Sequence, residues 1–301
     1  MNASIIFQTA RPSFLILTLA CIFLGIATSL IGQPTVNIFY CLLVIIGALF
    51  AHISVNMLNE YHDFQSGLDL ITTKTAFSGG SGALPKNPEA AKSVLITGTL
   101  SLLIVVSIGI YFIIGFSIHI LPVGIIGVIL IVTYTQWINR LPFLCLISPG
   151  MGFGILMIIG TYIILNGENA SLPWLISLVP FFLVNNILLL NQYPDIKADA
   201  SVGRKTFPIA YGLKKSNIAY AISMLAAYLL ILIYVVLDII PEHGVIAILP
   251  VIFSIYALTG AIKYSASIGE HPRYLAANVT AGILTPVLLG IAIINGSCIP
   301  L

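Results

Sequence analysis

VNIFYCLLVIIGALFAHISVNML, residues 36–58, holds no Lys, Arg, Asp or Glu, and runs without a break into NEYHDFQSGLD, residues 59–69. A helix needs about 20 mostly apolar residues to cross the hydrocarbon core of a bilayer. The first stretch meets that length. The second places Asn59 and Asp63 four residues apart, on one helix face, at the point where such a span leaves the membrane.

The rest of the chain repeats the first half of this pattern. Its 301 residues are 59% hydrophobic and 7% charged, with a mean hydropathy of +1.09. Soluble domains carry about 25% charged residues, so a soluble fold is excluded. Nine spans are expected, near 14–32, 36–58, 93–116, 119–136, 141–165, 173–192, 216–239, 244–263 and 277–296. The fold class is therefore all-α: a polytopic bundle of nine transmembrane helices, read as a single domain over 1–301. The N-terminal residues lack the basic stretch and small-residue cleavage site of a cleavable signal. Cys21, Cys41, Cys145 and Cys298 are far apart, and three of them sit in apolar runs. Reduced thiols are expected, not a disulfide framework.

Nine spans with the N-terminus inside place 12 of the 12 Lys and Arg residues on one side. Glu168, Asp238 and Glu242 are the charged residues of the other side. Excess Lys and Arg marks the cytoplasmic face, so both long connections, 59–92 and 193–215, are cytoplasmic. The mouth of the bundle on that face is the expected active site, in a membrane of the bacterial plasma-membrane type.

The second connection reads Asn191-Gln192-Tyr193-Pro194-Asp195-Ile196-Lys197-Ala198-Asp199, then Gly203-Arg204-Lys205-Thr206. It repeats the four-residue spacing in Asn191, Asp195 and Asp199, with Pro194 set to break or kink the helix. Acids gathered at one cavity repel and resist ionisation. Magnesium relieves both problems, since it takes oxygen ligands and shares its shell with substrate phosphates. Lys74, Lys197, Arg204 and Lys205 would hold the remaining phosphate oxygens. Either loop alone reads equally well as solvated charge, whereas the pair on one face favours a magnesium–diphosphate clamp.

These residues resemble the two Asp-rich motifs of the UbiA superfamily of intramembrane prenyltransferases. Asn59-Glu60-Tyr61-His62-Asp63-Phe64-Gln65-Ser66-Gly67-Leu68-Asp69 is similar to the N-D-Y-x-D-F-x-x-G-x-D form of its 1,4-dihydroxy-2-naphthoate branch, which makes menaquinone. Gly203-Arg204-Lys205-Thr206 with Tyr211-Gly212, and Arg11-Pro12 before the first span, resemble further family stretches. The resemblance implies Mg2+ held by Asn59, Asp63, Asp195 and Asp199, with Asn191 lining the site. Lys74, Lys197, Arg204 and Lys205 would contact substrate, and Asp63, Asp195 and Lys205 would carry catalysis. It implies polyprenyl diphosphate and a small aromatic acceptor as substrates, lipid as surroundings, and no nucleic acid. Glu60 departs from the family Asp. The Phe77–Pro85 stretch, with Gly79, Gly80 and Gly82, replaces an Arg-containing segment; its amides could approach phosphate, or it could simply flex.

The same clamp would serve other acceptors, such as 4-hydroxybenzoate, a chlorophyllide, haem or a glyceryl phosphate. A secondary transporter is the reading from another class, but transporter charges lie near the midplane in broken helices, and here they gather at one interface. Tyr61, Phe64 and Tyr193 are expected as interfacial aromatics, with shielding of an allylic cation as the alternative. Arg11 is expected as a positive-inside anchor, with an acidic acceptor as its alternative partner. His52 and His62 are expected in packing or interfacial roles.

Overall fold

The computed structural model describes residues 3–31 and 35–297, and these contain helices and turns with no strand. Cys298 lies outside the described residues. Eight helices among them are long and apolar enough to span a bilayer, and a ninth apolar helix is shorter. We label the spanning helices α1 (Ala3–Ser29), α2 (Ile38–Gln65), α3 (Ala91–Gly115), α4 (Ile120–Thr133), α5 (Pro142–Asn166), α6 (Ser171–Asn191), α7 (Phe207–Val236), α8 (Glu242–Glu270) and α9 (Pro272–Ser297). The sequence reading of a nine-helix membrane bundle holds.

The short member is α4. Its 14 residues rise about 21 Å at 1.5 Å per residue, less than the ~30 Å of hydrocarbon. It nonetheless runs between the two ends of the bundle. Ile120 at its start packs with Phe112 and Ile163, and Thr135 just past its end donates to Asn59 Oδ1 at 3.0 Å. Turns through 134–140 complete the path.

Several helices begin earlier or end later than hydropathy places them. α2 continues seven residues beyond the expected edge, to Gln65, and α7 starts at Phe207 instead of 216. The α2 extension is polar, and the start of α7 is cut off from the apolar run by Lys214 and Lys215, so an apolar count misses both. In α7 the first turns are set off by Gly212, whose φ of 78° and ψ of 163° break the helical path. Asn37 starts α2, its side chain accepting from the amides of Phe39 and Tyr40 at 2.9 and 3.3 Å, which satisfies the unpaired amides of a helix start.

Two apolar cores hold the bundle. One joins Leu24, Ile158, Ile176, Leu183, Tyr220 and Leu289 from α1, α5, α6, α7 and α9. The other joins Ile22, Val44, Phe112, Ile120 and Ile159 from α1 to α5. Buried polar side chains bind α6, α7 and α9: Tyr220 Oη donates to Asn278 Oδ1 at 2.8 Å, and Asn278 Nδ2 to the Asn186 carbonyl at 2.8 Å. Such bonds hold helices together in lipid. α5 and α6 approach closely at Gly150, where a Cβ would lie 2.3 Å from the Phe181 carbonyl oxygen. There α5 opens into wide π-type turns over Gly150–Leu156, and Asn185 Oδ1 accepts the Gly150 amide at 2.6 Å. Cys21 and Cys145 are buried free thiols, and Cys41 is half-buried and free.

Candidate active site

A cavity of about 460 Å³ runs through the α1–α6 side of the bundle. Its deep walls are apolar, with Val44, Gly109, Phe112, Ile120, Gly124 and Ile164 among them. Its mouth is polar, and brings together Arg11, Asn59, Asp63, Asp69, Asn191, Asp195, Asp199 and Arg204. The two acidic segments, far apart in sequence, meet here.

Each acid is positioned by its own stretch of backbone. Asn59 and Asp63 share a face of α2, and Asn59 Nδ2 donates to Asp63 Oδ2 at 2.9 Å. α6 stops at Asn191. Pro194 follows within a turn, and a new short helix, Ile196–Ser201, carries Asp199. Asn191, Asp195 and Asp199 therefore do not sit on one continuous helix, as the proline foretells. The Asp199 amide donates to the Asp195 carbonyl at 2.8 Å, which keeps the two acids adjacent. Arg204 then spans both segments, donating from Nη1 to Asp199 Oδ1 at 2.9 Å and from Nη2 to Asp63 Oδ1.

Burial sets the protonation of the loop acids. It pushes the Asp195 carboxyl up to about 7, with the Asp199 charge adding and the Gly79 amide opposing. Burial likewise pushes Asp69 up to about 7, with Glu60 and Asp63 adding to it. Asp199 is raised by burial and pulled back by Arg204.

The donor set suits a hard divalent cation shared with phosphate. Asp69 Oδ2, Asn139 Oδ1, Asn191 Oδ1, Gln192 Oε1, Asp195 Oδ1 and Thr206 Oγ1 are buried oxygens without a hydrogen-bond partner. All belong to residues that line this one cavity. Buried polar atoms are rarely left unpaired, so six around one cavity mark a place built for a ligand. Among the described residues, no three His, Cys, Asp or Glu side chains converge as a closed metal cage. Magnesium needs no such cage, since it usually takes one or two carboxylates and completes its shell with water and phosphate.

Not every predicted residue reaches the cavity. Lys74, Lys197 and Lys205 are exposed and absent from its lining. The Lys74 ammonium donates to the Ser81 carbonyl, and Lys205 meets the site through its amide, which donates to the Asn139 carbonyl at 2.9 Å. Tyr193 is fully buried in the larger core, its hydroxyl on Asn217 at 2.8 Å, so it is neither interfacial nor at the cavity. Tyr61 and Phe64 pack beside Met57 and Val94, away from the lining. His52 lines the cavity with Nδ1 2.7 Å from Thr18 Oγ1, and His62 lies beside Gln136.

The departures at Glu60 and the glycine loop prove to be one feature. Glu60 is fully buried and bound by Arg11 through Nε at 2.8 Å and through Nη2. It also accepts the Ser81 amide at 2.7 Å and the Ser81 hydroxyl at 2.5 Å. Its oxygens are taken by the protein. The loop itself turns on Gly79, Gly80 and Gly82, all at positive φ, the region only glycine enters freely. Sequence reasoning passed over Asp69, Tyr134, Asn139 and Thr206 as site residues; for Asp69 and Thr206 there was a signal, their places in the quoted motifs.

A family model described as the UbiA prenyltransferase family matches residues 18–274. Over 229 residues the chain is 29% identical to a 1,4-dihydroxy-2-naphthoate octaprenyltransferase of Bacillus subtilis, which covers 75% of this chain and 71% of that protein. A Haemophilus influenzae protein of the same name is 27% identical over 239 residues, covering 76% of each. In structure, a UbiA homolog from Aeropyrum pernix K1 superposes with a TM-score of 0.72 at 17% identity, covering 94% of this chain and 97% of that one. A UbiA homolog from Archaeoglobus fulgidus bound to DMAPP and Mg2+ gives 0.67 at 12% identity, covering 96% and 99%.

Proposed function

The chain belongs to the UbiA prenyltransferase family, and on that premise we propose that it transfers a polyprenyl group from polyprenyl diphosphate to 1,4-dihydroxy-2-naphthoate. The whole chain acts as one domain, in a plasma membrane of bacterial type, with its mouth open to the cytoplasm and menaquinone synthesis as its setting. The observation that carries the chemistry is the meeting of Asp63, Asp195 and Asp199 at the polar mouth of an otherwise apolar cavity. The naphthoate acceptor is supported by the names of the two relatives.

Asn59, Asp63, Asp195 and Asp199 would hold Mg2+, and Asn191 would complete the oxygen wall. The metal supplies Lewis-acid neutralisation of charge on the leaving diphosphate. Arg204 adds a bidentate donor for phosphate oxygens. The exposed Lys74, Lys197 and Lys205 would draw diphosphate toward the mouth as long-range charge. The apolar walls take the prenyl tail and keep water from the allylic carbon as its C–O bond breaks. Gathering of the acids at one end of the cavity favours this reading over a transporter.

The test is purified protein with Mg2+, radiolabelled prenyl diphosphates of graded length, and a panel of aromatic and glyceryl phosphate acceptors. A prenylated naphthoate product lost on chelation is expected. Transfer to another acceptor alone would overturn the acceptor assignment, and substrate flux into liposomes without bond cleavage would overturn the chemistry.

A further inference from the structure

The two acidic segments meet through a cation that the chain itself supplies. Arg204 follows the short helix of Asp199, and its own amide donates to the Asp199 carbonyl at 3.0 Å. Its guanidinium joins Asp199 to Asp63 of α2, closing a contact across 141 residues of sequence. All three side chains are largely buried, at 16%, 4% and 8% exposure. Yet Asp195 Oδ1 and Asn191 Oδ1, in the same cavity, have no partner at all. Arg204 also lines a second, polar cavity of about 400 Å³, with His62, Gln136, Trp137 and Arg140. The guanidinium thus stands between two spaces and has room to leave its present partners.

We propose that Arg204 is an exchangeable cation that holds Asp63 and Asp199 together until metal and diphosphate enter and then shifts onto phosphate oxygens. This rests on the metal–diphosphate reading above. A divalent ion arriving alone must break a charge-assisted bridge and strand a buried guanidinium without a partner, which is strongly unfavourable. Diphosphate lifts that penalty, because its oxygens accept the displaced Arg204. Metal and diphosphate are then bound as a coupled pair, and by linkage each strengthens the other by the same factor. Arg204 is the residue through which the coupling acts.

Mg2+ titration of the full chain in detergent tests this, read by calorimetry with and without a saturating, unreactive S-thiolo analogue of geranyl diphosphate. In the wild type, the analogue is expected to tighten Mg2+ binding by about tenfold or more. In Arg204→Gln, Mg2+ alone should bind about tenfold tighter than in the wild type, and the analogue should add less than about threefold. Arg204→Lys keeps the charge but loses the two-pronged geometry; it should fall between them, and it carries the test if the Gln variant does not fold. A Gln variant, or failing that a Lys variant, that binds Mg2+ alone no better than the wild type overturns the inference. A wild-type protein that binds no Mg2+ even with the analogue overturns the metal–diphosphate reading itself.

Discussion

The backbone amide of Gly79 donates to Asp195 Oδ2 at 3.1 Å, so the loop after the first acidic segment is fastened to the second. The bond sits on a residue with φ of 77°, where a Cβ would lie 2.8 Å from the Thr73 carbonyl oxygen and 2.9 Å from Lys74 Cα. Gly79→Ala should therefore cost about 1–2 kcal/mol in backbone strain alone and pull the amide from Asp195. We expect kcat/KM for prenyl diphosphate to fall about tenfold, the equivalent of one such bond. Gly67→Ala is the control: its φ is 79° with nothing within 4 Å of the added Cβ, so melting should move and kcat/KM should not.

Asp63→Asn and Asp195→Asn keep the shape of the mouth and remove one charge each. If these acids hold the metal against the leaving group, each should lower transfer by about 10²–10³-fold, the range for losing one fixed electrostatic contact at a reacting centre. Melting in detergent should stay near the wild type for Asp195→Asn, whereas Asp63→Asn takes a charged partner from the buried Arg204 and should melt lower. Near-normal turnover in both variants would refute the clamp.

The parts of this site legible in sequence are those written locally. Asn59 and Asp63 lie one turn apart on a helix whose apolar length announces it, and Pro194 announces the break before Asp195. Long-range pairing is not written that way. Glu60 reads as a weakened metal ligand until Arg11, 49 residues earlier, is seen to hold it. Gly79 reads as a flexible loop until Asp195, 116 residues later, accepts its amide. Lys74, Lys197 and Lys205 show the opposite failure. Spacing could place their charges on the correct face, but not tell which long side chains turn into the cavity. α4 was legible as a span near 119–136, while its helix covers only Ile120–Thr133.

The Arg11–Glu60–Ser81 cluster is a structural latch, and its loss should appear first as instability. Glu60→Ala strands Arg11 and both Ser81 donors, and breaking a buried pair from one side costs about 3–5 kcal/mol. Glu60→Asp keeps the charge on a shorter arm and should lose the Ser81 contacts before the Arg11 pair. Thermal melts in detergent should rank wild type above Glu60→Asp above Glu60→Ala. Metal affinity should stay unchanged in the Asp variant, since the Glu60 oxygens are already held by Arg11 and Ser81.

Asp195 and Asp69, both near 7 in the folded protein against an ordinary 3.8, give the metal-free enzyme a defined pH dependence. A carboxyl whose folded value is raised holds its proton more tightly folded than unfolded. Its stabilising effect is complete below about 4 and is lost as pH rises through about 7. Melting temperature with chelator should therefore fall as pH rises from about 4 to about 7 and level off above that. Mg2+ with a diphosphate analogue needs the ionised form, so the ligand-induced gain in melting temperature should grow over the same window. A gain that shrinks with rising pH would contradict the assignment of Asp195 to the metal.

Gly109 lines the deep part of the cavity, and a Cβ added there meets no atom within 4 Å. Gly109→Leu should thus be accepted by α3, where leucine also favours helix over glycine by about 0.8 kcal/mol. Its side chain would occupy space assigned to the prenyl tail. Activity with a short diphosphate, such as dimethylallyl, should be nearly unchanged. With long polyprenyl diphosphates kcat/KM should fall by about tenfold for each 1.4 kcal/mol of lost tail contact. The acidic mouth lies at the other end of the cavity, so Mg2+ affinity with a short analogue should not move. Equal losses for short and long donors would mean that the tail does not lie along this wall.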